Sequence, residues 1–238
     1  MGTRKDSVDK LVIFLAKRDG IDKLVKTFQY VSKLAHWQLQ KHNYSSMAER
    51  AKNWEVSSGL SRKAFRTGRF LTGFNTVRRN QEPNWTLQTL AVLANSGEMV
   101  YFFFDHLLWL ARIGVLNTHL ARKMSFISAF GEAFGYIFFI ISDLINIRKG
   151  IRMEKQLKWE IEEMNSVCES VVVEEKRKKL SNVKSQRIMQ LMAISANVAD
   201  LCIAIADIEP NPFCNHTLTL GISGLVSAWA GWYRNWPS

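Results

Sequence analysis

Apolar residues recur along most of this chain at the period of a helix. Between residues 21 and 41 they fall at Ile21, Leu24, Val25, Phe28, Val31 and Ala35, the stripe of an amphipathic helix. A shorter helix is predicted over residues 7–18, ended by Asp19-Gly20, and the polar stretch 41–55 reads as a linker. Residues 58–79, SGLSRKAFRTGRFLTGFNTVRR, are predicted as the next helix, with Ser58 or Ser61 as its cap. At 100° per residue Leu60, Ala64, Leu71 and Phe74 gather within about 80° of one another. Arg62, Arg66 and Arg69 collect on the opposite side, with Phe65 and Phe70 flanking the apolar stripe. Asn80-Gln81-Glu82-Pro83-Asn84 then breaks the chain, because a proline disfavours helix at the residue before it.

Beyond the break lie four apolar stretches, 86–116, 124–147, 188–208 and 210–233, with a charged helix expected over 148–187. The last stretch contains no Asp, Glu, Lys or Arg, and it is long enough for a membrane span. Trp229, Trp232, Tyr233, Arg234 and Trp236 close it with an aromatic and basic cluster suited to the headgroup level. Gly221, Gly224, Ala228 and Gly231 leave room for another helix to approach. The other three stretches each carry two acids on one helix face: Glu98 and Asp105, Glu132 and Asp143, Asp200 and Asp207. An acid at the bilayer centre costs about 2.5–3.5 kcal/mol, so these lines need partners or water. They read as polar seams between helices, with a solute path as the rival reading. No hairpin or strand alternation interrupts the pattern, so the fold class is all-α: amphipathic N-terminal helices followed by a membrane-embedded helical bundle.

Charge sharpens this division. The net charge is +11, and residues 1–80 hold 17 Lys+Arg against 6 Asp+Glu, so the whole excess sits there. Two regions follow: a basic, cytosolic amphipathic-helix region over 1–80 and a membrane-associated helical region over 81–238. Residues 58–79 alone hold six basic residues and no acid. A basic face opposite a Phe/Leu face is the composition of a helix that lies in an anionic membrane surface. The candidate membrane-binding residues are therefore Leu60, Arg62, Lys63, Ala64, Phe65, Arg66, Arg69, Leu71 and Phe74.

Chemistry-bearing motifs are missing. There is no P-loop, Rossmann glycine pattern, HExxH or GxSxG, and Cys214 with His216 supplies too few ligands for a closed zinc site. Neither an enzyme nor a bound metal or cofactor is expected. Cys168, Cys202 and Cys214 form no CxxC pair and read as reduced thiols. The start has no apolar signal core, and the end, Trp236-Pro237-Ser238, is neither an SKL-type signal nor a CaaX box.

Four long blocks carry a resemblance: DKLVIFLAKRDGIDKLVKTFQYVSKLA, SGLSRKAFRTGRFLTGFN, LAVLANSGEMVYFFFDHLLWLARIG and LGISGLVSAWAGWYRNWPS. Together they resemble a plant member of the peroxin-11 family, the membrane proteins of peroxisome proliferation. The resemblance implies an integral peroxisomal membrane protein with its N-terminus in the cytosol. It implies an amphipathic helix, aligned with 58–79, that inserts into the cytosolic leaflet, curves it and elongates the organelle before fission. It also implies partners: anionic lipids, other copies and other family members, a fission adaptor and a dynamin-type GTPase. A dilysine-like ending found in some members is absent here. A pore or metabolite channel built from the acid-bearing helices is the alternative function. A soluble nucleic-acid binder using the basic third is the second rival reading, which predicts release by high salt, although nucleic acid is not an expected partner.

Overall fold

The computed structural model describes residues 6–165 and 170–237; Cys168, the first five residues and Ser238 lie outside the described residues. The described residues form eight α-helices and one 3-10 turn, with no strand among them. Helix α1 (Ser7–Ala16) opens on a reciprocal cap, in which Asp6 accepts from the Asp9 amide and Asp9 from the Asp6 amide. The chain is extended at Lys17, and α2 (Arg18–Lys41) starts at once. Asp19-Gly20, expected to end the first helix, instead lies in the first turn of the second. Glycine is required at position 20 because a Cβ there would run into the Phe14 carbonyl. The corner buries Phe14 against Trp232 and Trp236, with ring centroids 4.6 and 5.7 Å away.

Helix α3 (Ser45–Phe65) begins inside the stretch expected to be a linker. Its Ser58 and Ser61 are interior residues, not caps, and the Ser61 hydroxyl donates to the Ser57 carbonyl. A short α4 (Phe70–Arg78) follows, and the expected break at 80–84 separates it from α5 (Trp85–Arg112). Asn84 caps α5 by accepting from the Leu87 amide. After the 3-10 turn at Thr118–Leu120 come α6 (Ala121–Asn165), α7 (Ser170–Ile208) and α8 (Thr217–Asn235).

Packing joins these into a ring: α2 lies on α8, α8 on α7, α7 on α6, α6 on α5, and α3 bridges α5 back to α2. Helix α4 rests on the outer side of α5. The loop at 80–84 is thus a boundary in the chain but not in the packing, since helices before and after it share one ring. Glycines set the closest approaches. A Cβ on Gly97 of α5 would stand 2.6 Å from the Gly135 nitrogen of α6, so only glycine lets these backbones meet. The small face read from α8 is used in the same way. Gly221 accepts Leu34, Gly224 accepts the Tyr30 ring, and Gly231 accepts the Lys23 stem, all from α2.

The charged stretch 148–187 is not one helix. It comprises the facing ends of α6 and α7, tied by Lys176–Glu160 at 2.7 Å and by Arg187–Glu154. Leu157, Ile161, Val173 and Val183 form the buried seam between these two arms. Their lower halves are the apolar stretches 124–147 and 188–208, and α6 and α7 are the described helices long and apolar enough to cross a membrane. Only 28% of the most apolar 18-residue stretch of each is buried within the protein. That leaves Phe126, Phe130, Ile137, Val198 and Ile205 facing outward, a surface that lipid would cover. The uncharged run expected as the span, 210–233, supplies α8, whose inner face is already covered by α2.

Candidate membrane-binding segment and the charged cavity behind it

Residues 58–79 do not form one helix. Arg66–Arg69 make a non-helical turn between α3 and α4, and Gly68 sits at φ 71°, where a Cβ would be strained. The nine candidate residues, spread over the end of α3, this turn and α4, fall into two groups that face different ways.

Leu60, Arg62, Lys63, Ala64 and Arg66 belong to the last turns of α3 and its end, and the basic members turn inward. Arg62 Nε donates to Asp22 Oδ1 at 3.3 Å and its terminal nitrogen donates to Gln29 at 2.7 Å. Arg66 Nε reaches the same Asp22 oxygen at 3.1 Å, while its terminal nitrogen donates to the Tyr101 hydroxyl and lies 3.7 Å from Asp105 Oδ2. Lys63 donates to Asp105 Oδ1. Arg69, in the turn, pairs with Asp19 at 2.9 Å and lies 4.7 Å over the Phe102 ring. The expectation of a free basic face is therefore corrected. The charge of Arg62, Lys63, Arg66 and Arg69, which looked uncompensated in sequence, is compensated from α2 and α5, because buried cations must find acids, while Arg78 and Arg79 at the end of the segment are exposed.

Electrostatics fits this geometry. Asp22 is 1% exposed; burial alone would raise its carboxyl, but Arg66 and Arg62 hold it well below the ordinary value of 3.8. Arg66 is burdened by burial too, yet Asp22 raises its pKa further above the usual range. Burial lowers Lys63, partly offset by Asp105.

The second group faces out. Phe65 is 40% exposed, Leu71 57% and Phe74 55%, so the apolar side of this segment is presented, not packed. Helix α4 is seated by Gly73, buried beside Met99 and the Asn95 carbonyl, and by Phe70, edge-on to Phe103 at 5.8 Å. Phe103 is itself 45% exposed, so Leu71 and Phe74 extend the outward apolar surface of α5.

Behind α3 the ring encloses a cavity of about 620 Å³. Lys26, Arg62, Lys63 and Arg66 line it from the N-terminal helices, and Asp105, Glu132, Asp200 and Asp207 line it from α5, α6 and α7. The polar line on α7, which had no basic residue of its own, finds its partner in α2: Lys26 donates to Asp200 at 2.5 Å and to Ser227 at 2.6 Å. Burial depresses Lys26 to about 7, with Asp200 opposing that shift. Asp22, Lys26, Gln29 and Lys33 share a face of α2 at intervals of 4, 3 and 4, a polar line that the sequence displays and the apolar stripe concealed.

The sequence model of the family described as Peroxisomal biogenesis factor 11 (PEX11) matches residues 8–236. The chain is 64% identical to Peroxisomal membrane protein 11-4 of Oryza sativa subsp. japonica, over 98% of both chains. It is equally identical to Peroxisomal membrane protein 11B of Arabidopsis thaliana, over 98% of this chain and 99% of that one. A more distant relative, the Peroxisomal membrane protein 11 homolog of Dictyostelium discoideum, is 29% identical over 97% of this chain and 94% of its own. No solved structure matches the chain significantly.

Proposed function

This chain belongs to the peroxisomal biogenesis factor 11 family, and from that premise we propose that it is an integral protein of the peroxisomal membrane that curves and elongates it. The observation that carries the mechanism is the outward set Phe65, Leu71 and Phe74 on the α3–α4 corner. Burying a Leu or Phe side chain is worth about 1.5–3 kcal/mol, so the pair on α4 supplies several kcal/mol of affinity for a leaflet. An element that enters only the outer part of one leaflet widens that leaflet relative to the other and bends the sheet. Helices α6 and α7 anchor the protein while α4 wedges beside them. The inward members, Leu60, Arg62, Lys63, Ala64, Arg66 and Arg69, reach lipid only if the end of α3 turns out of the ring.

The basic excess of residues 1–80 supports a cytosolic N-terminal side. On the same reading the elongated membrane passes to a fission adaptor and a dynamin-type GTPase, with other family members as lateral partners; the family membership supports this. Expression of the chain with Leu71→Asp and Phe74→Asp in plant cells tests the wedge. The doubly substituted protein should reach peroxisomes and leave them round, where the unsubstituted protein elongates them. Normal elongation by the double variant would reject α4 as the wedge.

One observation favours a second reading, a solute path: four of the six acids of the apolar helices, Asp105, Glu132, Asp200 and Asp207, line a common cavity. Against conduction, Asp200 is occupied by Lys26 and Ser227, and Asp105 by Lys63. A selective loss of solute flux in Asp207→Asn, with protein level unchanged, would favour the path over the seam.

A further inference from the structure

The paired arginines have a second meaning. Residues 62–69 carry four cationic groups, and all four are held by Asp19, Asp22 and Asp105 from other helices. We propose that these ion pairs are a latch, and that the structure shows its closed state: an anionic membrane surface opens it by supplying lipid phosphates and carboxylates in place of the aspartates. The proposal rests on the wedge reading above and adds how the rest of 58–79 is released to lipid.

Three features carry it. The exchange is chemically like for like, since a guanidinium accepts a phosphate in the same two-pronged geometry as a carboxylate. A buried ion pair gives up so much hydration that its net stabilisation is small, and opening the corner admits water to Asp22 and Asp105 as the cations leave, so a competing anion has only that net balance to overcome. The corner is also built to move. Gly68 has nothing within 4 Å of the position its Cβ would take, and besides the latch pairs the turn Arg66–Arg69 is tied to other helices by few polar contacts: Arg18 to the Thr67 carbonyl at 3.0 Å, Arg66 to the Tyr101 hydroxyl, and the Thr67 hydroxyl near His106. Behind α3 lies the polar cavity instead of a close-packed apolar core, and the α3–α5 seam is the thinnest in the ring. What fastens the end of α3 is therefore mostly charge.

Opening turns Arg62, Arg66 and Arg69 toward headgroups and brings Leu60 and Ala64 to the leaflet beside Leu71 and Phe74. Closed, the protein presents only the short apolar edge of α4. The latch thus makes full insertion conditional on the charge of the membrane, and keeps the basic face from other polyanions until then.

Thr67 and His106 mark the closed corner without belonging to the latch: the Thr67 hydroxyl is 3.4 Å from His106 Nδ1. The test uses the full chain with its native cysteines replaced by serine and with Thr67→Cys and His106→Cys. It is reconstituted in phosphatidylcholine vesicles or in vesicles of equal parts phosphatidylcholine and phosphatidylserine, and treated with a short bis-maleimide. Cross-linking should be efficient in the neutral vesicles, fall several-fold in the anionic ones and recover in high salt. Adding Asp22→Asn and Asp105→Asn should lower it in neutral vesicles as well. Equal cross-linking in both lipids, or none in either, overturns the latch. The readout does not involve curvature: a lipid-dependent cross-link together with normal tubulation by the Leu71→Asp, Phe74→Asp variant would keep the latch and reject the wedge.

Discussion

Asp22 illustrates how much a single residue can hide from sequence reading. It lies next to Ile21 of the apolar stripe but on the polar line of α2 with Lys26, Gln29 and Lys33, and nothing local marks it as the acceptor for Arg62 and Arg66, 40 and 44 residues later. The separation of Leu60 and Phe74 from the arginines was legible, because helical period alone sets it. The direction each face takes was not, because that depends on which long-range acids the fold brings near. Asp22→Ala leaves two buried guanidiniums without their acceptor and should cost about 3–5 kcal/mol, read by chemical unfolding in detergent. Asp207→Asn, at an exposed position of the cavity mouth, should stay within about 0.5 kcal/mol of the parent protein. The pH dependence has a definite sign. The Asp22 carboxyl is depressed in the folded chain, so its stabilisation is complete above the ordinary value of 3.8 and is lost as pH falls below it. Unfolding midpoints should therefore show no Asp22-dependent change between neutral pH and about 5, and a loss below about 4 that Asp22→Asn abolishes.

At the scale of elements, helix existence was readable and helix ends were less so. The break at 80–84 stands where proline put it, and the glycines of α8 do admit another helix. That helix is α2, from the region expected to lie apart, since a small face does not identify its partner. Residues 41–55 looked like a linker because their apolar stripe is faint. Helix α3 forms there by packing on α2 and through Lys33–Glu55 at 2.7 Å and Lys52–Glu55 at 3.1 Å. Mixed charge over 148–187 fitted a single solvated helix equally well as two arms, and only the pairs Glu160–Lys176 and Glu154–Arg187 decide for two. The α5–α6 crossing gives this scale its own test. Gly97→Ala puts a methyl 2.6 Å from the Gly135 nitrogen, where backbone cannot yield cheaply. It should destabilise by about 1–3 kcal/mol and lower the yield of folded protein, while Gly150→Ala, in open space, should not.

For the whole molecule, an outward apolar belt on α6 and α7 and an inward charged cavity make one consistent object: a helical ring with an outer surface that lipid would cover and ion pairs inside. Alkaline carbonate should leave the protein in the membrane fraction, whereas a protein held by surface charge would be released by salt. Protease added to intact peroxisomes should remove an N-terminal tag, in keeping with the basic residues of 1–80; complete protection would reverse the orientation. The structure also changes which substitutions test curvature. Reversing Arg62, Arg66 and Arg69 to Glu would set new acids beside Asp19, Asp22 and Asp105 and unsettle the fold, so loss of activity there would say little about lipid. Leu71 and Phe74 face outward and can be changed without touching an ion pair. The most direct measurement is therefore tubulation of anionic vesicles by the purified full-length chain and by its Leu71→Asp, Phe74→Asp variant, with insertion of both verified by resistance to carbonate. The account predicts tubules from the first and smooth spherical vesicles from the second at equal protein density; tubules of equal length and number from both would contradict it.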